Sequence, residues 1–176
     1  PPLEGETIMH AHICSKVRER IWQEIAAHPP EKVTLAAFWT EYQWSKLRDT
    51  VQRLRALGVR EIEIVGPVPR WRDGLPKQAA ILYRDSGFRD MPTRMRSGLM
   101  NEPFRLDPLM AELASELKAV YLSPIQTLCD TDGCLVREEG KPFLFAWDDV
   151  HLTEAGSVYL ARQWANGNTR KHAKAY

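Results

Sequence analysis

The sequence has no long hydrophobic run; none of its apolar stretches approaches the roughly 20 residues a transmembrane helix needs. It also lacks an excess of either charge. Its 24 lysines and arginines nearly balance 23 aspartates and glutamates, so no global field draws in nucleic acid or a membrane surface, and no nucleic-acid partner is expected. The one basic cluster, Arg170-Lys171-His172-Ala173-Lys174, is accounted for by a solvated terminus. Neither a signal peptide nor a starting methionine is present, so the chain reads as an excised piece of something longer. Repeats, low-complexity tracts and linkers are missing too, which makes one domain over residues 1–176 the simplest organisation. His10, His12, His28 and His172 share no spacing that suggests a metal.

Cysteine is scarce, and its placement is informative. Cys129 and Cys134 bracket the short polar segment Asp130-Thr131-Asp132-Gly133, which a disulfide could close into a small loop. Two unlinked thiols are the alternative. A zinc site would need further ligands, and no second Cys/His pair has the right spacing. Cys14 is left over. It is either the half of a pair whose partner lies outside the chain or a small hydrophobe on a helix.

Periodicity supplies the fold class. Met9, Ile13, Val17, Ile21 and Ile25 recur at helical spacing, with Trp22 and Ala26 widening the stripe, and His28-Pro29-Pro30 stops the helix. Val33-Thr34-Leu35-Ala36-Ala37-Phe38 is a continuous run of the kind expected of a strand covered on both faces. Leu47, Val51, Leu54 and Leu57 make a second helix, closed by Gly58. Ile62, Ile64 and Val65 form a second strand, cut off by Gly66-Pro67-Val68-Pro69. Residues 70–102 read as a long excursion with short helical pieces. A further helix carries Leu106, Leu109, Met110, Leu113 and Leu117, a third strand is Ala119-Val120-Tyr121-Leu122, and a last helix opens at Thr153. Helices alternating with buried strands imply an α/β fold with a mainly parallel sheet.

The chemistry concentrates in Asp148-Asp149-Val150-His151. An Asp three residues before a His is common by chance, but this pair follows an apolar run, precedes a helix start, and falls on a loop at a sheet edge, where α/β proteins build sites. A carboxylate held against an imidazole fixes its tautomer and stabilises the imidazolium formed when it takes a nucleophile's proton. The competing reading has Asp149 or Thr153 capping the last helix while His151 packs in a polar pocket.

The run Trp147-Asp148-Asp149-Val150-His151-Leu152-Thr153-Glu154-Ala155-Gly156 resembles the last signature block of SGNH hydrolases. Three further features resemble one branch, the extracytoplasmic SGNH domain fused behind a multi-helix membrane acyltransferase that O-acylates bacterial surface polysaccharides. They are the segment from Val33 through Trp39-Thr40-Glu41-Tyr42, the turn Val65-Gly66-Pro67-Val68-Pro69, and the two-cysteine loop just before the Asp–His block. The resemblance implies a flavodoxin-like three-layer sandwich, with Asp148 and His151 as the Asp and His of a Ser–His–Asp site. It further implies an acyl donor delivered by the membrane domain, a polysaccharide acceptor, a periplasmic or other extracytoplasmic location, and no metal or organic cofactor.

Two departures accompany the match. The family's Gly-Asp-Ser turn is absent; Arg84-Asp85-Ser86-Gly87 lacks the leading glycine and follows no strand. The opening Pro1-Pro2-Leu3 resembles a Cys-Pro-Pro-Leu segment that lies after the nucleophile, so the first strand and the nucleophile are expected upstream of Pro1. The second departure is at the family's Gly-x-Asn block, where Ala37-Phe38-Trp39-Thr40 offers no asparagine donor to an oxyanion. The chain is therefore expected to be an O-acyltransferase domain that is catalytically incomplete by itself. An SGNH carbohydrate esterase and a non-catalytic carbohydrate-binding module are the rivals. Trp39, Trp44, Arg70, Trp71 and Arg72 are candidates for a sugar groove, against core packing and solvated charge.

Overall fold

The computed structural model describes residues 4–39, 44, 46–87, 89 and 91–167, with side chains from Cys14 onward. Thr40, Glu41 and Tyr42 and the basic tail lie outside the described residues, as do the side chains of Met9, His10, His12 and Ile13. Helix α1 (Glu4–Ala27) leads through the proline turn to strand β1 (Lys32–Leu35), helix α2 (Leu47–Ala56) and strand β2 (Glu61–Val65). The excursion then holds helix α3 (Leu75–Asp85) and a two-residue strand, β3 (Arg94–Met95). Helix α4 (Glu102–Glu116), strand β4 (Val120–Leu122), helix α5 (Pro124–Leu128), strands β5 (Cys129–Asp130) and β6 (Gly133–Leu135), and helix α6 (Glu154–Ala165) complete the order.

β1, β2 and β4 form a parallel sheet in the order β1-β2-β4, with Val33 opposite Ile62 and Ile64 opposite Tyr121. This is the α/β class that the alternation of helices and strands implied. Ile62 and Ile64, two apart and so on one face, are buried with Val51 and Leu54 of α2 and Leu106, Met110 and Ala114 of α4. The opposite face is mixed: Val65, Val120 and Leu122 share it with Glu63, which accepts hydrogen bonds from Lys32 Nζ at 2.8 Å and Thr34 Oγ1 at 2.9 Å.

β1 therefore differs from the expected strand over 33–38. It is shorter, its burial alternates, and it pairs with β2 along one edge only. Lys32 and Thr34 set a period of two that the apolar run masked. Its other edge has no strand partner among the described residues. Nearby, α1 is only half used. Trp22 and Ile25 pack on the core, with Arg53 stacked over Trp22 at 4.1 Å, while Val17 and Ile21 of the same stripe are more than half exposed.

A second core lies under the excursion and the C-terminal helix. Trp71, Leu75, Met95, Leu128, Val136, Phe145 and Leu160 are buried together, roofed by a small antiparallel sheet in the order β3-β6-β5. Cys129 and Cys134 face each other across β5 and β6 and are joined by a disulfide with an S–S distance of 2.03 Å. Cys14 is free and exposed. Among the described residues, no helix is long and apolar enough to cross a membrane.

Candidate active site

The loop from Phe145 to Thr153 is shaped by its own backbone. Ala146 bridges Leu152, Trp147 N–H donates to His151 O at 3.1 Å, and Thr153 N–H donates to Phe145 O at 2.9 Å. Thr153 also caps α6, its Oγ1 accepting from Gly156 N–H at 3.2 Å while donating to Leu144 O at 2.6 Å. Gly156 is required there because a Cβ would run into the Phe145 backbone. The glycine of the signature block thus lets the first turn of α6 sit directly on the chain entering the loop.

Within that loop Asp148 is an acceptor on both oxygens. Oδ1 takes the backbone N–H groups of Val150 at 2.9 Å and His151 at 2.7 Å, a local turn typical of aspartate. Oδ2 takes His151 Nδ1 at 2.7 Å. The Val150 N–H, more than any other group, holds the Asp148 carboxyl down at about 2; desolvation is the next largest influence and opposes it, and the backbone and ring of His151 add to the lowering. An ionised Asp148 places the imidazole proton on Nδ1 and leaves the Nε2 lone pair to accept one. The structure therefore brings together the two residues singled out in the sequence. Thr153 caps the helix as the competing reading had it, but His151 is not packed in a pocket: its side chain is 67% exposed and paired with Asp148.

The dyad loop is pinned to the end of the sheet. Trp71 N–H donates to Asp149 O at 3.1 Å and Leu75 N–H to Asp148 O at 2.9 Å. The Arg70 guanidinium spans from Glu102 Oε2 at 2.7 Å to Asp149 Oδ2 at 3.4 Å and lies over the Phe38 ring at 4.9 Å. This brace fixes the loop against the N-terminus of α4. Arg70 follows Pro69, and nothing in its spacing from Asp149 reveals the pairing.

His151 lines a cleft of about 540 Å³ whose other walls are the segments leaving β1 and β2, Ala36–Trp39 and Val65–Val68. Ligands in parallel α/β sheets bind at these C-terminal strand ends. Trp39 ties the two segments together by donating Nε1–H to Val65 O at 2.7 Å. Among the described residues no asparagine lines this cleft. Ser157, on the first turns of α6, does line it and is not in any motif. Ser86 does not; it closes the C-terminus of α3 and donates to Tyr83 O at 2.7 Å. Of the sugar-groove candidates, Trp39 and Arg70 line this cleft, whereas Trp44 packs on the first core, Trp71 is 2% exposed in the second, and Arg72 is exposed. No cluster of three or more His, Cys, Asp or Glu able to hold a metal occurs among the described residues.

The structure is similar to the periplasmic domain of a lipopolysaccharide acetyltransferase from Salmonella ser. Paratyphi A, with a TM-score of 0.75 and 26% sequence identity. The match covers 87% of this chain and 62% of that one, so the chain spans less than two thirds of the domain it resembles. No curated protein matches it. The family described as an SGNH domain fused to AT3 domains matches residues 1–166. The chain belongs to that family.

Proposed function

We propose that this domain transfers an acyl group, acetyl in the first instance, to a sugar hydroxyl of a cell-surface polysaccharide, with His151 as general base and Asp148 as the carboxylate that orients it. The observation that carries this reading is the 2.7 Å contact from His151 Nδ1 to Asp148 Oδ2 in a cleft at the strand ends. The likeness to a lipopolysaccharide acetyltransferase domain supports acetyl as the group and a polysaccharide as the acceptor. The family's fusion to AT3 domains supports a membrane acyltransferase as the source of the acyl donor. An extracytoplasmic location fits both that neighbour and the Cys129–Cys134 disulfide.

In the first half-reaction a serine hydroxyl attacks the donor's acyl carbon. His151 Nε2 takes the hydroxyl proton as the serine O–C bond forms, and returns it to the leaving group as the donor's acyl bond breaks. In the second, a sugar hydroxyl gives its proton to Nε2 and attacks the acyl-serine carbon, and the serine leaves with that proton. We assign the serine to a family Gly-Asp-Ser turn outside residues 1–176. The edge of β1 with no strand partner among the described residues, beside the cleft, is where a strand carrying it would add to the sheet. Ser157 lines the cleft on a helix, not on a tight turn after a strand.

The test is acetyl ester content on the surface polysaccharide of cells carrying the full-length gene product. His151→Ala is expected to reduce it to background while Ser157→Ala leaves it unchanged. Wild-type ester content in the His151→Ala strain would overturn the reading, and a rise would make the domain an esterase.

A further inference from the structure

Trp147 also borders a second concavity, of about 770 Å³, walled by residues 142–147 and one face of α6. Its apolar side chains are unusually open: Trp147 is 68% exposed, Phe143 66% and Val158 37%. An isolated exposed apolar residue is ordinary, but two aromatic rings within five positions, around a hollow and beside a candidate active site, form a patch. The chain context sharpens the point, since Phe145 and Ala146 between them are buried at 2% and 4%. The hollow's charged residues are Glu138, Glu154, Lys141 and Arg162, two of each sign.

Resting on the polysaccharide reading above, we propose that this groove is the acceptor subsite, in which sugar residues next to the reacting one stack on Phe143 and Trp147. Pyranose rings present C–H faces that lie on aromatic faces and hydroxyl edges that exchange hydrogen bonds with mixed carboxylate and cationic groups. The groove offers both kinds of surface. An anionic lipid surface would favour a cationic rim, whereas this rim sums to zero. Continuity with the dyad is direct. Trp147 borders both the groove and the His151 cleft, and its ring meets the His151 ring edge-on with centroids 6.0 Å apart. A chain lying across Trp147 would lead one sugar's hydroxyl to the imidazole.

Phe143 and Val158 line the groove without lining the cleft, so substituting them separates acceptor binding from acyl chemistry. The full-length gene product carrying Phe143→Ala with Val158→Asp is compared with wild type and His151→Ala in three assays. These are acetyl transfer to de-O-acetylated surface polysaccharide across acceptor concentration, hydrolysis of a small activated acetyl ester, and binding to phosphatidylglycerol vesicles. The double variant is expected to raise the acceptor KM at least about fivefold, the scale of losing an aromatic contact, with ester hydrolysis and vesicle binding unchanged. An unchanged acceptor KM overturns the proposal, as does an equal fall in both reactions. Loss of vesicle binding instead assigns the patch to a membrane and also overturns it. Failure of the acyl-transfer reading shows separately, as His151→Ala retaining both activities.

Discussion

Asp107 and Asp148 each gather hydrogen-bond donors around one carboxylate, the first in the interior and the second at the surface. Asp107, on α4 and 4% exposed, accepts from Tyr121 Oη at 2.8 Å, Ser123 Oγ at 2.6 Å and Gln126 Nε2 at 3.4 Å. Burial pushes its pKa up, and the donors, Ser123 foremost, pull back only in part. Burial also raises the Tyr121 hydroxyl, with the neighbouring carboxylate adding to it. The hydroxyls and amide around Asp107 are poor proton acceptors, so the network has nowhere to send a proton and ties α4 to β4 and α5. Asp148 has fewer side-chain partners, but one is an imidazole whose other nitrogen remains available, and its pKa moves the opposite way. The more elaborate network is the structural one, and the sparse, half-exposed one is the one we propose for chemistry.

Asp148→Asn is the largest expected break in that contrast. Asparagine keeps an acceptor for the Val150 and His151 N–H groups, so the loop should hold. Its amide can no longer reward the tautomer with the proton on Nδ1, and acyl transfer by the full-length gene product should fall about 10³–10⁴-fold, measured as kcat with acceptor KM nearly unchanged. A loss of less than about tenfold would show that Asp148 does not orient a catalytic imidazole.

Asp107→Ala should do the reverse. It strands the Tyr121 and Ser123 hydroxyls and opens a cavity beside Gly66, whose missing side chain makes room for the Tyr121 hydroxyl. Unfolding free energy in urea should drop by about 2–3 kcal/mol. The remaining folded protein should keep its acceptor KM. A drop below about 0.5 kcal/mol would mean that the buried carboxylate is a burden its donors barely offset.

The dyad was legible because its geometry is local. Asp148 and His151 are three residues apart, and the turn that joins them is made by Asp148 itself. The parallel sheet was legible from short apolar runs and the helical stripes between them, although the run at Val33 hid the alternation that β1 shows. What the sequence hid was long-range or too short to show a period. The strands β3, β5 and β6 have two or three residues each, fewer than any alternation needs. The Arg70 brace spans 79 positions to Asp149, and the Asp107 network draws on three elements. The groove on Phe143 and Trp147 was missed because an apolar residue in a loop reads as core until its exposure is seen. One signal was available: Ser123-Pro124 announces α5, with Ser123 Oγ capping Gln126 N–H at 3.0 Å and Pro124 at the first position.

The smallest effect, and the sharpest test of the contrast, is the sign of two pH dependences. A carboxyl is unperturbed near 3.9 in the unfolded chain. Asp107 has its folded pKa above that value. The stability it contributes is therefore present at low pH and lost as pH rises through the folded pKa, since burial resists ionisation. Asp148 has its folded pKa at about 2. Its contribution is present above about 3.9 and lost as pH falls toward 2. Urea unfolding of wild type, Asp107→Asn and Asp148→Asn between these limits and neutrality separates the two. The stability of wild type relative to Asp107→Asn should fall as pH rises, and its stability relative to Asp148→Asn should rise over the acidic part of the range. With the Asp148 side chain 41% exposed, solvent screening should keep its effect below about 1 kcal/mol. Slopes of the same sign would mean that the two carboxylates sit in equivalent environments, and the division between a structural network and a reactive one would fail.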